Sequence, residues 1–236
     1  MKQRSAPCRL VLLGWALLAP VAGAWASPSG LNNIPTADVA PFGKLVLQQY
    51  TNIGGGEPPA FYVGAKWGAL PRLEVGIDDR FAGGGGPTAS PVAQIKFQVL
   101  RNDKRLSLAV GAANLGDTRH NGDPAFYLAL KRRLVPKVRG HLGFMNQGSQ
   151  NSLFIGAEGD IVRGWSWRTD AIQTNHMHDV LFGVGAIGPL RKDILLEAWT
   201  SLPTQAGVDE SYMLKFDWLI GKQAQHAEQG PVGAVA

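Results

Sequence analysis

Runs in which apolar and polar residues strictly alternate recur along this chain, and short turns alternate with longer loops between them. From Ala93 to Val99, Ala93, Ile95, Phe97 and Val99 fall on one face and Gln94, Lys96 and Gln98 on the other. A period of two is the signature of a β-strand with unlike faces. The same reading separates Phe61, Val63, Ala65 and Trp67 from Tyr62, Gly64 and Lys66, and Tyr212, Leu214, Phe216 and Trp218 from Lys215 and Asp217. About twelve such runs are expected, near 43–53, 59–68, 72–81, 91–101, 104–115, 124–134, 137–147, 151–161, 164–174, 178–188, 191–201 and 208–219. Each has roughly the nine to eleven residues that a tilted membrane strand requires.

The connections follow a second alternation. Ala69–Pro71, Arg101–Lys104, Val135–Lys137, Val162–Gly164 and Gly188–Arg191 are short, and each holds or adjoins a basic residue. Gly54–Pro58, Phe81–Ser90, Gly116–Asp123, Gln147–Gln150, Asn175–Met177 and Leu202–Gly207 are mostly longer. Outer-membrane barrels have short periplasmic turns and longer external loops, and an even strand number returns the chain to its starting side. The predicted fold is all-β: an antiparallel up-and-down transmembrane β-barrel of about twelve strands over 43–220.

The N-terminus points to the same compartment. Lys2, Arg4 and Arg9 precede a mostly apolar stretch from Leu10 to Ala22, and Ala24-Trp25-Ala26 offers the small residues of a signal-peptidase site. A signal peptide over 1–26 would send the chain through the inner membrane toward the outer membrane. It would carry away Cys8, the single cysteine, before any disulfide could form. Removing its three basic residues also takes the formal charge from +5 to about +2, so the basic balance gives no support to nucleic-acid binding. No later segment approaches eighteen consecutive apolar residues, which excludes helical spans. Residues 27–42 are expected as an N-terminal periplasmic segment, and 221–236 as a flexible C-terminal tail.

A soluble periplasmic β-barrel binding a small ligand would alternate too, with its apolar face inside. Yet Gly64, Gly76, Gly111, Gly143, Gly156, Gly183 and Gly185 fall on the polar face. Glycine suits a crowded lumen better than a solvated surface. Trp67, Trp165, Trp167 and Trp218, near strand ends, fit an interfacial girdle.

The polar face carries the candidate functional residues. Its acids are Glu74, Asp78, Glu158, Asp160, Asp170, Glu197 and Asp217. Its bases are Lys66, Lys96, Lys131, Arg139, Arg168 and Lys215, joined by Gln94, Gln98 and His141. The two signs are nearly balanced. That suits an ion-paired lumen bracing the wall, and equally a narrow polar pore whose charge patches set selectivity. His141 with Glu158 or Asp160 could form a base–orienter pair, but no serine falls beside a histidine as a barrel hydrolase needs. His176-x-His178-Asp179 offers metal-ligand residue types in one loop, too few for a site, so neither metal nor cofactor is expected. Gly83–Gly86 has no helix after it and is a loop tip rather than a phosphate cradle.

Gly30-Leu31-Asn32-Asn33-Ile34-Pro35-Thr36-Ala37, followed by Gly43-Lys44-Leu45, resembles the opening of the YjbH family over about fifteen residues. The resemblance implies an outer-membrane protein associated with exopolysaccharide production and export, and an N-terminal plug or pre-strand turn. Known members are longer and often lipid-anchored, whereas this chain lacks a suitable lipobox cysteine. Pro35 and Pro41 would stiffen the segment, and Gly43 would permit the bend into the first strand.

The function expected is a non-enzymatic outer-membrane barrel: a narrow channel or an envelope or export component. Its partners would be outer-membrane lipid and polysaccharide or small polar solutes, with no nucleic acid and with the oligomeric state open. A lipid- or lipopolysaccharide-modifying enzyme and the soluble barrel are the alternatives.

Overall fold

A computed structural model describes residues 30–83, 91–102, 106–174 and 178–221. The expected signal segment, Gly84–Gly86 of the glycine run, His176 and the tail beyond Gly221 lie outside the described residues. The strands are β1 (Leu45–Gly54), β2 (Glu57–Leu70), β3 (Leu73–Gly83), β4 (Val92–Leu100), β5 (Ser107–Leu115) and β6 (Ala125–Val135). They continue as β7 (Val138–Gln147), β8 (Gln150–Asp160), β9 (Ser166–Thr174), β10 (Asp179–Arg191), β11 (Ile194–Pro203) and β12 (Ser211–Ile220). Each pairs antiparallel with its sequence neighbours. β1 closes on β12 from Leu45↔Ile220 to Gly54↔Ser211, making one closed barrel.

The observed strands overlap all twelve expected runs. They differ at the ends, because turns are tighter than composition suggested. Only Pro71 and Arg72 separate β2 from β3, and only Gly148 and Ser149 separate β7 from β8, with Gly148 at φ +58°. One element was not anticipated: a single helical turn, α1 (Thr118–Asn121), in the loop between β5 and β6. The Asp117 carboxylate caps it by accepting from the Arg119 backbone N–H at 3.0 Å.

The two faces are sorted in the sense opposite to a soluble barrel. Phe154 and Ile155 are adjacent and both apolar, yet Phe154 is 2% exposed and Ile155 is 61% exposed. Phe154 points inward, with Ser152 one strand period and Glu158 two periods away on the same face. Outside, Val63, Ile77, Phe97, Leu142, Val184 and Leu214 are all exposed. Inside, Glu74, Lys96, Arg168, Glu197 and Asp217 are buried. A continuous apolar outer surface is untenable in water, and a polar interior is not a soluble core, so the soluble-barrel alternative loses its physical basis. Trp67, Trp167 and Trp218 lie on the outer face, near the barrel end where β1 begins and β12 ends. Trp165, in the adjacent β8–β9 turn, packs over Gly188. At the opposite end the outward Phe61 and Phe81 rings meet at 6.3 Å.

Residues 27–42 were expected as an N-terminal periplasmic segment, with a plug or pre-strand turn implied by the resemblance. The structure runs Gly30–Pro41 through the barrel interior. Leu31, Ile34, Thr36, Ala37 and Ala40 are all buried, and Leu31 and Ile34 lie over Gly156 of β8. Leu31 and Ile34 join Tyr127, Phe154, Ile172 and Trp199 in an apolar cluster within the barrel. The segment leaves past Gly68, which Phe42 bridges, and Gly43 at φ +73° turns it into β1. The physical reason is the unusual interior. An apolar inward patch on β6, β8, β9 and β11 needs an apolar cover, and Leu31 and Ile34 provide it.

Two measurements follow. On a denaturing gel the protein is expected to shift on boiling, and an unshifted band would contradict a closed barrel stable in detergent. Replacing Gly143 by Ala places a Cβ 2.1 Å from Phe154 Cζ and 2.3 Å from the Leu128 carbonyl oxygen. A loss of about 1–3 kcal/mol is expected, read as a lower urea midpoint of the heat-sensitive band.

Candidate functional site: the barrel interior

Charged side chains on alternate positions of neighbouring strands meet inside the barrel because the inward face is shared and cross-strand partners are within reach. The chain of contacts begins on β7. Arg139 Nε donates to Glu158 Oε1 at 2.9 Å, and its Nη2 donates to Asp160 at 2.9 Å. Glu158 also faces His141 Nε2 at 3.5 Å and Arg168 Nε at 3.3 Å. Arg168 Nη1 lies 3.5 Å from Glu197 Oε1, and Lys215 Nζ lies 2.8 Å from Glu197 Oε2. Lys215 stands 3.9 Å from Asp217, which accepts from Gln48 Nε2 at 2.7 Å. One network thus runs along the wall from β7 round to β1.

β10 lies between Arg168 on β9 and Glu197 on β11. Its inward residue opposite Arg168 is Gly185, which also pairs with Trp199. A side chain there would collide with the Trp199 ring, 2.6 Å from the ideal Cβ. Glycine leaves the space that the Trp199 ring fills, so its place on the polar face has a steric cause.

A second group holds the N-terminal segment. The Ala40 backbone N–H donates to Glu74 Oε2 at 2.6 Å. Lys96 Nζ donates to the Asp38 carbonyl at 3.0 Å, and Gln98 Nε2 to the Ala37 carbonyl at 2.7 Å. Lys131 Nζ forms an ion pair with the Asp38 carboxylate. Across the lumen, Asp170 accepts from the Asn33 backbone N–H at 2.9 Å and from Asn33 Nδ2 at 2.8 Å. Asn32 Nδ2 donates to Ser201 Oγ at 2.6 Å, and Arg168 Nη1 to the Gly30 carbonyl at 3.5 Å. The segment is therefore tied to β3, β4 and β6 at one end and to β9 and β11 at the other.

Every residue expected on the polar face is placed by these contacts or by register. Asp78 accepts from Gln94 Nε2 at 2.8 Å, and Lys66 on β2 lies opposite Gly76 on β3. The structure separates them into a wall network (Arg139, His141, Glu158, Asp160, Arg168, Glu197, Lys215, Asp217) and a set that grips the segment (Glu74, Lys96, Gln98, Lys131, Asp170). Sequence reasoning missed Asn32, Asn33, Asp38, Gln48, Trp199 and Ser201. Parity on β11 could have found Trp199 and Ser201, since both share a face with Glu197. Asn32, Asn33 and Asp38 carried no periodic signal, because the segment is not a strand. Trp199 Nε1 donates to Glu197 Oε2 at 3.2 Å, giving that buried carboxylate a neutral donor besides its two cations.

Burying this many charges is unfavourable unless each is paired, and a buried pair broken on one side costs more than an exposed one. The charges of the interior are correspondingly cross-braced, each carboxylate of the wall network facing at least one cation.

Comparison with solved structures places the fold. The KdgM porin in complex with disordered oligogalacturonate superposes with a TM-score of 0.58 at 8% identity, over 73% of this chain and 98% of that one. The KdgM porin alone gives the same values. The NanC porin gives 0.51 at 8% identity, over 74% and 98%. This is the fold of porin-like transmembrane barrels. No protein family and no curated protein matches the sequence.

Arg168 holds Glu158 and Glu197 together. Replacing it by Met is expected to cost about 3 kcal/mol, since two buried carboxylates lose a partner. Adding Glu197→Gln removes one of them and should recover at least about 0.5 kcal/mol as coupling in a double-mutant cycle. Urea unfolding of the reconstituted barrel gives both values, and additive losses would contradict a shared network.

Proposed function

We propose that this chain is a non-enzymatic outer-membrane channel for small polar solutes whose lumen is narrowed by its own N-terminal segment. The observation that carries the reading is the sidedness of the closed barrel. Apolar residues cover the outside, and buried, paired charges with backbone-hugging glycines fill the inside. An all-antiparallel closed sheet satisfies its own backbone groups, as a hydrocarbon environment requires. The expected signal peptide supplies the route, and the aromatic residues near each barrel end suit two membrane–water interfaces. A polar interior crossing such a layer is the minimum for solute passage, and charge placement within it sets selectivity.

A role in exopolysaccharide export is the second reading. It is favoured by the Gly30–Ala37 motif, which resembles the YjbH family and occupies the lumen rather than a linker. The porin neighbour described with oligogalacturonate is consistent with passage of a saccharide. An enzyme would need a nucleophile beside His141. That ring instead faces Glu158 in the lumen, and neither of its nitrogens holds a hydrogen bond.

Planar-bilayer recording tests the channel. The full mature chain is expected to give small, infrequent current steps, and a variant lacking residues 31–40 larger and more frequent ones. Silence from both, with the heat shift intact on gels, would rule the channel out and leave an envelope scaffold or an enzyme.

A further inference from the structure

Resting on the channel reading, we infer that the lumen contains a carboxylate-binding site for the solute, and that Asp38 of the N-terminal segment occupies it as a built-in competitor. Three features of the interior support this. The first is the donor set around Asp38. Its carboxylate is ion-paired to Lys131, and its carbonyl accepts from Lys96 Nζ at 3.0 Å. Gln98 Nε2 donates to the next carbonyl back, that of Ala37, at 2.7 Å. Lys96 and Gln98 are each 3% exposed, and the Lys131 side chain is 11% exposed. Two buried cations and an amide thus converge on one carboxylate and two adjacent carbonyl oxygens. A solute with a carboxylate beside hydroxyl or ring oxygens, such as an acidic sugar, presents the same acceptors. Charge-assisted hydrogen bonds of this kind, shielded from water, are the strong ones.

The second is how the segment is held. Gly30–Pro41 adds no strand to the barrel. Among the described residues its backbone–backbone bonds run from the Leu31 N–H to the Ile34 carbonyl and from the Lys44 N–H to the Pro41 carbonyl, and its ties to β3, β4, β6, β9 and β11 are made by side chains or accepted by them. Pro35 and Pro41 have no N–H to satisfy. The wall closes through β1 and β12 without it. Elements joined by few backbone hydrogen bonds belong to the low-stability end of a structure and can leave without unfolding the rest.

The third is the opposite wall. Asp170 and Ser201 accept from Asn33 and Asn32 there, while Glu74, which accepts from the Ala40 N–H, stands beside Lys96 on the near wall. Once the segment leaves, acceptors there would meet hydroxyl donors while Lys96, Gln98 and Lys131 meet the carboxylate. The lumen would then read both ends of an acidic sugar, and solute and segment would exclude each other by mass action.

The test uses D-glucuronate, with glucose as the neutral comparator, on the mature chain and on Asp38→Asn, Asp38→Ala and Lys131→Met. All are checked for the heat shift. Glucuronate is expected to raise the open probability of the parent barrel in bilayers, and glucose to leave it unchanged. Both Asp38 variants should open without solute and bind glucuronate about tenfold more tightly by calorimetry. Lys131→Met should open without solute yet lose glucuronate binding. Equal effects of glucose and glucuronate, or parental glucuronate affinity in both Asp38 variants, would overturn the inference even if currents appear. A tenfold gain in calorimetry with no current from any variant would instead uphold the site and overturn the channel.

Discussion

The ladder between β1 and β12 is the contact on which everything else depends. Twelve strands paired in sequence leave two free edges, and in hydrocarbon each unpaired N–H or C=O is unfavourable by several kcal/mol. The register from Leu45↔Ile220 to Gly54↔Ser211 removes both edges at once. Closure also defines an inside. Only then do alternate residues of all twelve strands face one another, and only then does the polar face become a volume rather than a surface.

That volume is filled by two unlike solutions to one problem. Between β7 and β1 the charges neutralise each other, with Arg168 reaching past β10 to Glu197. Toward β3, β4 and β6 the wall's cations and Glu74 are matched by a piece of backbone from the N-terminus. The apolar patch of Tyr127, Phe154 and Trp199 explains why the same segment carries Leu31 and Ile34 as well as Asn33 and Asp38. Its sequence is amphipathic toward a surface that is itself half charged and half apolar. The wall network and the segment contacts meet at Arg168, whose Nη1 also donates to the Gly30 carbonyl.

Most of the architecture was legible before the structure. Alternation at Ala93–Val99 and Tyr212–Trp218 is a direct image of the pleat, and a barrel in lipid offers no other face for Lys96 or Asp217 than the inside. Strand ends at Leu70, Arg191 and Gln150 were less legible, because pairing can continue through prolines and glycines at a barrel rim. The inward aromatic residues were the blind spot. Phe154 beside Ile155 gives no hydropathy contrast, so sidedness there rests on parity with Glu158 rather than on residue type. The place of Gly30–Pro41 was not legible from period or composition. The sequence left it as a periplasmic segment, with a plug or pre-strand turn implied by the resemblance, because a twelve-residue stretch without strand character says nothing about where its ends are anchored.

The sequence by itself determined that this chain must be a β-sheet with one apolar and one polar face, of a strand number and length suited to closing in a membrane. Those properties are local, set by side-chain alternation and turn chemistry within about ten residues. Tertiary structure alone decided which charges meet, that Arg168 reaches Glu197 across a glycine, and that Asp38 sits against Lys131 ninety-three positions away. Those pairings arise from barrel curvature and register, which bring distant strands face to face across a lumen, and no local pattern encodes a distance through that space.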